Sequence, residues 1–419
     1  MLDEAALIAT LGELIAIPSI GGTPGEVAIQ HHLAKRLAQL GPEVDLWPID
    51  LAELRAREDF PGEEVDRTQA WGLVGTYRPG EPGRSSPGNR HSPGERPALV
   101  LEGHVDVVPT GNRAVWTGEP FTPAVRNGRM VGRGACDMKG GVAAILAAVE
   151  AVLSGGGTEV PPFAVHFVVG EEDGGLGAYA TLARGHTGEA CIIPEPTELR
   201  LITANAGSLT FRIEVPGQAT HGSTRYAGHS ALDAYLPIHA ALAALERRRN
   251  ADTEALLREY PIAYPLSVGR VRGGDWPSSV PDSLVAEGRY GLRIEEDPAA
   301  ARSELEAAVA EAAASEPFLR DHPPRVCWPG GVFRGGRLPP GHPLRAVVAD
   351  AHAAVTGRDI GPERGAPYGS DLRLYAAAGI STLHYGPGSP RQAHGPDESL
   401  PIEELMAAAR VLELALRRR

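Results

Sequence analysis

Three apolar runs, residues 98–101, 163–169 and 190–193, carry almost no polar side chain on either face, and each stops at a histidine or at acids. A strand with one wet face alternates. A run apolar on both faces belongs inside a sheet covered by helices on each side, which is the habit of parallel α/β sheets. The first run leads into Gly103-His104-Val105-Asp106, the second into Gly170-Glu171-Glu172-Asp173, and the third into Pro194-Glu195-Pro196-Thr197. A further acid, Asp137, sits in Gly132-Arg133-Gly134-Ala135-Cys136-Asp137-Met138-Lys139-Gly140-Gly141 and opens a predicted helix over 138–153. Val142, Ile145, Leu146, Val149 and Val152 fall on one face of that helix. Ligand crevices of open α/β sheets lie at the carboxyl ends of the strands, so these acids are expected to converge.

The remaining chain supports two units. Leu7, Leu11, Leu14 and Ile15 repeat at helical spacing. Thr23-Pro24-Gly25-Glu26 reads as a capping box opening a second helix, with Thr23 as N-cap and Glu26 as its reciprocal partner. Residues 71–77 look like a strand, and the Pro-, Gly- and Ser-rich stretch 79–97 reads as a mobile surface loop. After about residue 206 the pattern becomes strand 208–215, helix 231–247, strands 266–271 and 284–292, helix 299–314 and strand 325–328. That βαββαβ order is the ferredoxin-like split motif. The chain then returns to α/β with helix 342–355, strand 381–385 and an amphipathic helix over 402–416. The predicted fold class is therefore α/β, a mixed sheet flanked by helices, with an inserted ferredoxin-like α+β domain. Residues 1–206 and 333–419 form the first domain and 207–332 the second.

Composition excludes several functions. The 419 residues carry a net charge of −13, which argues against a nucleic-acid partner. No apolar run approaches the ~18 residues of a membrane span. The acidic start, Met1-Leu2-Asp3-Glu4, lacks the basic region of a signal peptide. Cys136, Cys191 and Cys327 are widely spaced and odd in number, which suits a reducing cytoplasm rather than a disulfide framework. Gly132-Arg133-Gly134 is not a phosphate-binding glycine pattern. His166 reads as a packed sheet histidine, His31 and His32 as solvated, and Cys136 as filler.

The candidate ligands are His104, Asp106, Asp137, Glu171, Glu172, Glu195 and His394, the last in Ala393-His394-Gly395-Pro396-Asp397-Glu398. Singly, a strand-end acid is a solvated cap by ~10 to 1, given the surface preference of Asp and Glu. Seven of them on converging loops are a different matter. Carboxylates and imidazoles without thiolates suit zinc, cobalt or manganese in a hydrolytic site.

On these motifs and their order, the chain resembles the M20 metallohydrolases, the family of acetylornithine deacetylase, succinyl-diaminopimelate desuccinylase, aminoacylase and carboxypeptidase G. The resemblance implies a zinc-hydrolase-type domain with two Zn²⁺ per chain, Co²⁺ or Mn²⁺ being possible substitutes. It implies His104 and Glu195 on one metal, Glu172 and His394 on the other, and Asp137 bridging both. Asp106 would orient the His104 imidazole and Glu171 would be the general base. It also implies a non-proline cis peptide at Asp137-Met138. The inserted domain would be a lid through which two chains dimerise, with His221 supplied to the partner's site as an oxyanion donor. Ser278 stands where relatives commonly have Asn, and either Arg289 or Arg293 matches a substrate-binding Arg. The implied reaction is removal of an acetyl, formyl or succinyl group from an N-acyl amine or amino acid, a small-molecule substrate. Alternatives are a formylaminopyrimidine deformylase of thiamine salvage, a dipeptidase or carboxypeptidase of the same fold, and, in another class, a non-catalytic binding protein.

Overall fold

The computed structural model describes residues 2–79, 96–154 and 160–418. Most of the stretch read as a mobile loop, residues 80–95, lies outside the described residues. Contacts divide the chain into two compact units. The first comprises Met1–Ala204, Arg337–Arg364 and Ser370–Arg419, and the second Asn205–Gly336 with Gly365–Gly369.

The first unit is built on a mixed sheet. Its strands lie in the order Glu43–Pro48, Trp71–Tyr77, Phe163–Val168, Leu99–His104, Ala190–Ile193, Ser381–His384 and Ile202–Asn205. The middle four are parallel to one another. Trp71–Tyr77 on one side and Ile202–Asn205 on the other pair antiparallel with that block. The apolar runs are buried on both faces, as their sequence requires. Leu99 and Leu101 pack with Leu11, Ile145, Val149 and Leu412 from the helices Glu4–Ala16, Gly140–Ser154 and Ile402–Arg417. The alternate residues Val100, Ala164, Val168, Cys191 and Ile193 pack on the other face, against Leu372 and Tyr375 of the helix Leu372–Ala377. Each Val, Leu or Ile among them contributes about 1.5–3 kcal/mol by leaving water. A register slip of one residue would exchange the two faces. The register therefore fixes where the strands end, and with that where His104, Glu171, Glu172 and Glu195 emerge.

The second unit has the antiparallel order Leu266–Gly273, Ser283–Leu292, Gly207–Pro216, Arg325–Cys327, with Val332–Phe333 also on Gly207–Pro216. Numbered along the chain, the four main strands run 2-3-1-4, the ferredoxin-like arrangement. Helices Ala231–Arg249 and Pro298–Ala314 close one face over Phe211, Ile213, Tyr290 and Leu292.

Two local readings need correction. Thr23 makes no side-chain cap bond, and its hydroxyl donates to the Ile20 carbonyl instead. Glu26 does accept an amide, but that of Gly22 at 2.8 Å, and its other partner is Arg67. The capping box is displaced because a buried guanidinium competes for the acid. His31, read as solvated, is half-buried with its ring edge-on to Trp71 at 4.6 Å. His166 is fully buried and hydrogen-bonded through Nδ1 to the Tyr375 hydroxyl at 2.8 Å.

Candidate metal centre

The four parallel strands end together, and their following loops carry the acids. His104 is the last residue of its strand and is buried. Its Nε2 lies 3.1 Å from Asp137 Oδ1 and 4.0 Å from Glu195 Oε1. Its Nδ1 donates to the main-chain carbonyl of Asp106 at 3.1 Å, while the Asp106 carboxylate stands 3.7 Å away. That carboxylate instead accepts the amides of Glu171 and Glu172, at 3.3 and 3.2 Å. Asp106 thus fixes the ring through its backbone and the Glu171–Glu172 turn through its side chain.

Asp137 lies between two histidines. Its Oδ1 faces His104, and its Oδ2 lies 3.4 Å from His394 Nε2. His394 Nε2 is also 3.0 Å from Glu172 Oε2. His394 has a left-handed backbone, φ 61°, and a half-exposed side chain. Ligand atoms of His104, Asp137 and Glu172 all fall within 4.8 Å of one another.

The turn that carries Asp137 is irregular. The regular helix starts at Gly140, later than the expected 138, because Asp137 and Met138 have non-helical dihedrals and are joined by a cis peptide. Gly134 is left-handed at φ 78°, and a Cβ there would meet Val107 at 2.6 Å. Gly141 passes so close to Pro194 that a Cβ would lie 2.3 Å from its carbonyl oxygen. These glycines let the Asp137 turn approach the His104 and Glu195 loops. Lys139 is buried beneath it and donates to the carbonyls of Leu14 and Ile17 at 2.9 and 2.7 Å.

Glu398 closes the His394 motif and is a functional residue that the sequence reading missed. It is buried and accepts the amides of Gly134, Cys136 and Asp137 at 2.8, 2.8 and 3.0 Å. It also accepts Arg133 Nη1 at 2.7 Å, and Arg133 Nη2 reaches the carbonyl of His394 at 3.3 Å. Glu398 and Arg133 therefore lock the Asp137 turn to the His394 loop. The spacing of Glu398 from His394 gave the only sequence signal for this.

The electrostatics are those of a cation site. Burial raises the carboxyl pKa values of Glu171 and Glu195 well above the usual range, and repulsion among the acids raises them further. Burial also disfavours a charged His104, yet Asp137, Glu195 and Asp106 outweigh it and hold that ring well above its ordinary value. Hydrogen bonding to Asp137 and Glu172 pushes His394 up to about 11. Five acids around two imidazoles are thus short of positive charge, and the donor set of carboxylate oxygens and imidazole nitrogens fits divalent metal ions. Among the described residues, no hydrogen bond or ion pair holds the Glu171 carboxylate.

The other candidates lie in the second unit. His221 is exposed, and its Nδ1 is 2.7 Å from the Ser223 hydroxyl. The Ser278 carbonyl accepts the Gly222 amide at 2.6 Å, so the His221 and Ser278 loops are joined. Arg289 is half-buried and donates to the Pro367 carbonyl at 3.1 Å. Arg293 is exposed, 5.8 Å over the Tyr264 ring.

The family model for peptidase family M20/M25/M40 matches residues 100–418, which span every strand and loop of this centre. The chain belongs to that family. It is similar to an N-formyl-4-amino-5-aminomethyl-2-methylpyrimidine deformylase of Halalkalibacterium halodurans, 27% identical, over 98% of this chain and 93% of the relative. A succinyl-diaminopimelate desuccinylase of Leptothrix cholodnii is 29% identical over 90% and 89% of the two chains. Among solved structures, an M20 family metallo-carboxypeptidase of Sulfolobus solfataricus shares the fold, with a TM-score of 0.75, 15% identity, and 98% of each chain covered. No helix among the described residues of this M20 protein is long and apolar enough to cross a membrane.

Proposed function

We propose that this chain is a dinuclear zinc amidohydrolase that removes a small acyl group from an N-acyl amine or amino acid. The observation that carries the reading is the Asp137 carboxylate, which offers one oxygen toward His104 and the other toward His394. His104 and Glu195 would hold one ion, His394 and Glu172 the second, and Asp137 both. Bound zinc would supply Lewis acidity toward the scissile carbonyl and a lowered pKa for the attacking water.

The chain's own residues divide the remaining work. Glu171 and Glu172 are neighbours on one turn, whose amides the Asp106 carboxylate accepts. Glu172 is taken up by His394, which leaves Glu171 for proton transfer. Its raised pKa suits a group that accepts a proton from water and returns it to the leaving amine. The amide bond breaks, the acyl carbon gains the water oxygen, and the amine leaves with that proton. Asp106 fixes the position of His104 and of the Glu171–Glu172 turn. The second unit would act as a lid and dimerisation domain, with the partner chain's copy of His221 stabilising the oxyanion. Ser278 and either Arg289 or Arg293 would bind the substrate's polar end. The reading includes a cytoplasmic setting.

Deformylation of a formylaminopyrimidine is the second reading, supported by the activity of a relative aligned over 98% of this chain. The test is a panel of N-formyl, N-acetyl and N-succinyl compounds with dipeptides, each run with and without a chelator. Hydrolysis of an N-acyl compound that stops on chelation and returns with zinc is expected. Cleavage of dipeptides alone would replace the deacylase reading, and no metal-dependent hydrolysis across the panel would favour a binding protein.

A further inference from the structure

Beside the metal centre lies a buried ion cluster that the mechanism above does not use. Arg67 has a side chain with no exposure at all. It grips Asp173 with two parallel bonds of 2.7 Å, Nη1 to Oδ2 and Nη2 to Oδ1. On its other edge it binds Glu26, with Nε to Oε2 at 3.0 Å and Nη2 to Oε1 at 2.9 Å. Asp173 also accepts the amides of Val65 and Glu64 at 3.0 and 3.2 Å. One guanidinium therefore ties the helix Pro24–Leu40, through Glu26, to the residue that follows Glu171 and Glu172.

The Glu171-Glu172-Asp173 turn is consequently held at two points. The Asp106 carboxylate takes the amides of Glu171 and Glu172, and Arg67 takes the Asp173 side chain. Between those points no hydrogen bond or ion pair among the described residues holds the Glu171 carboxylate, which lies in the field of His104 and Arg373. A carboxylate free at its tip depends for its aim on the backbone beneath it. Planar two-pronged pairing fixes both distance and angle, which a single point charge does not.

We propose that Arg67 is a positioning residue: through Asp173 it sets the orientation of the turn from which Glu171 transfers its proton and Glu172 meets the second metal. The inference rests on the hydrolase reading above. A displacement of the base by about 1 Å lowers turnover about a hundredfold without weakening substrate binding to match.

The test compares wild type, Arg67→Lys, Asp173→Asn and Glu171→Gln, all loaded with zinc, on the best compound of the panel. Arg67→Lys keeps the charge and loses the two-pronged grip. Asp173→Asn keeps the shape and guards against failure of Arg67→Lys to fold. For both, kcat is expected to fall about ten- to a hundredfold with KM within twofold and near-normal zinc content. Amide exchange in the metal-free proteins gives a readout independent of activity. Residues 170–175 should exchange about tenfold faster, while the Phe163–Val168 strand stays as in wild type. Unchanged kcat per zinc-loaded chain, or exchange that rises equally in both segments, would overturn the proposal. Full activity of Glu171→Gln would instead place the base elsewhere and overturn the assignment of Glu171 on which the proposal rests.

Discussion

Replacing Glu398 with glutamine exchanges one carboxylate oxygen of a buried side chain for an NH₂ group and should disable the metal centre without touching a ligand. Glu398 Oε1 takes the amides of Cys136 and Asp137, and Oε2 takes the amide of Gly134 and Arg133 Nη1. Every one of these partners is a donor. A glutamine can present its oxygen to only one pair, so its NH₂ group must face the other pair whichever way the amide turns. Two buried donors then lose their acceptor, at about 1–3 kcal/mol each, giving about 2–6 kcal/mol in all. The assay is urea unfolding of the metal-free protein, wild type against Glu398→Gln. Zinc affinity is measured in parallel by competition with a chelator. We expect a loss of stability in that range and zinc binding at least about tenfold weaker, since either orientation abandons one of the two pairs of donors that anchor the Asp137 turn and tenfold corresponds to only about 1.4 kcal/mol. A loss under about 1 kcal/mol with unchanged zinc affinity would refute the claim that Glu398 holds the bridging turn.

Three further outcomes follow from the same geometry. Glu171→Gln should retain both zinc ions and lose about 10²–10⁴-fold in kcat, checked by elemental analysis and steady-state kinetics. His384 is buried beside the Ser370 hydroxyl at 2.9 Å, and burial lowers its pKa to about 3. Its neutral form adds stability that is full above pH 6.5 and is lost as pH falls toward 3, at about 1.4 kcal/mol per unit, because only the unfolded chain takes up the proton there. The stability difference between wild type and His384→Leu should therefore shrink or reverse from pH 7 to pH 5, and a constant difference would count against it. Mixing inactive Glu171→Gln with inactive His221→Ala chains should restore activity if His221 serves the partner's site, whereas verified subunit exchange without recovery would place its action elsewhere.

The strands were legible because burial on both faces leaves a continuous apolar run, and four of the site residues because each ends or follows such a run. His104 ends its strand, and Glu195, Glu171 and Glu172 lie two, three and four residues beyond a strand end, so local sequence nearly fixes their place. The supporting residues were not legible for the opposite reason. Arg67 lies in an irregular segment and meets partners 41 and 106 residues away. Nothing in its neighbourhood announces a buried guanidinium, and Glu26 looked like an ordinary capping acid because capping and ion pairing use the same carboxylate. Glu398 is 261 residues from Asp137 and follows a polar stretch that reads as loop. Asp106 was legible as an acid beside His104, but not in its use, since its carboxylate serves the Glu171–Glu172 turn and its carbonyl serves the histidine. Periodicity finds elements and strand ends. It does not find side chains whose partners are brought in by the fold.

The central claim is that Asp137 lies between two metal ions held by different pairs of ligands. Anomalous diffraction at the zinc absorption edge, from crystals of the zinc-loaded protein, tests it directly. Two peaks per chain are expected flanking the Asp137 carboxylate, one beside His104 and Glu195 and the other beside His394 and Glu172. A single peak, or peaks away from Asp137, would contradict it.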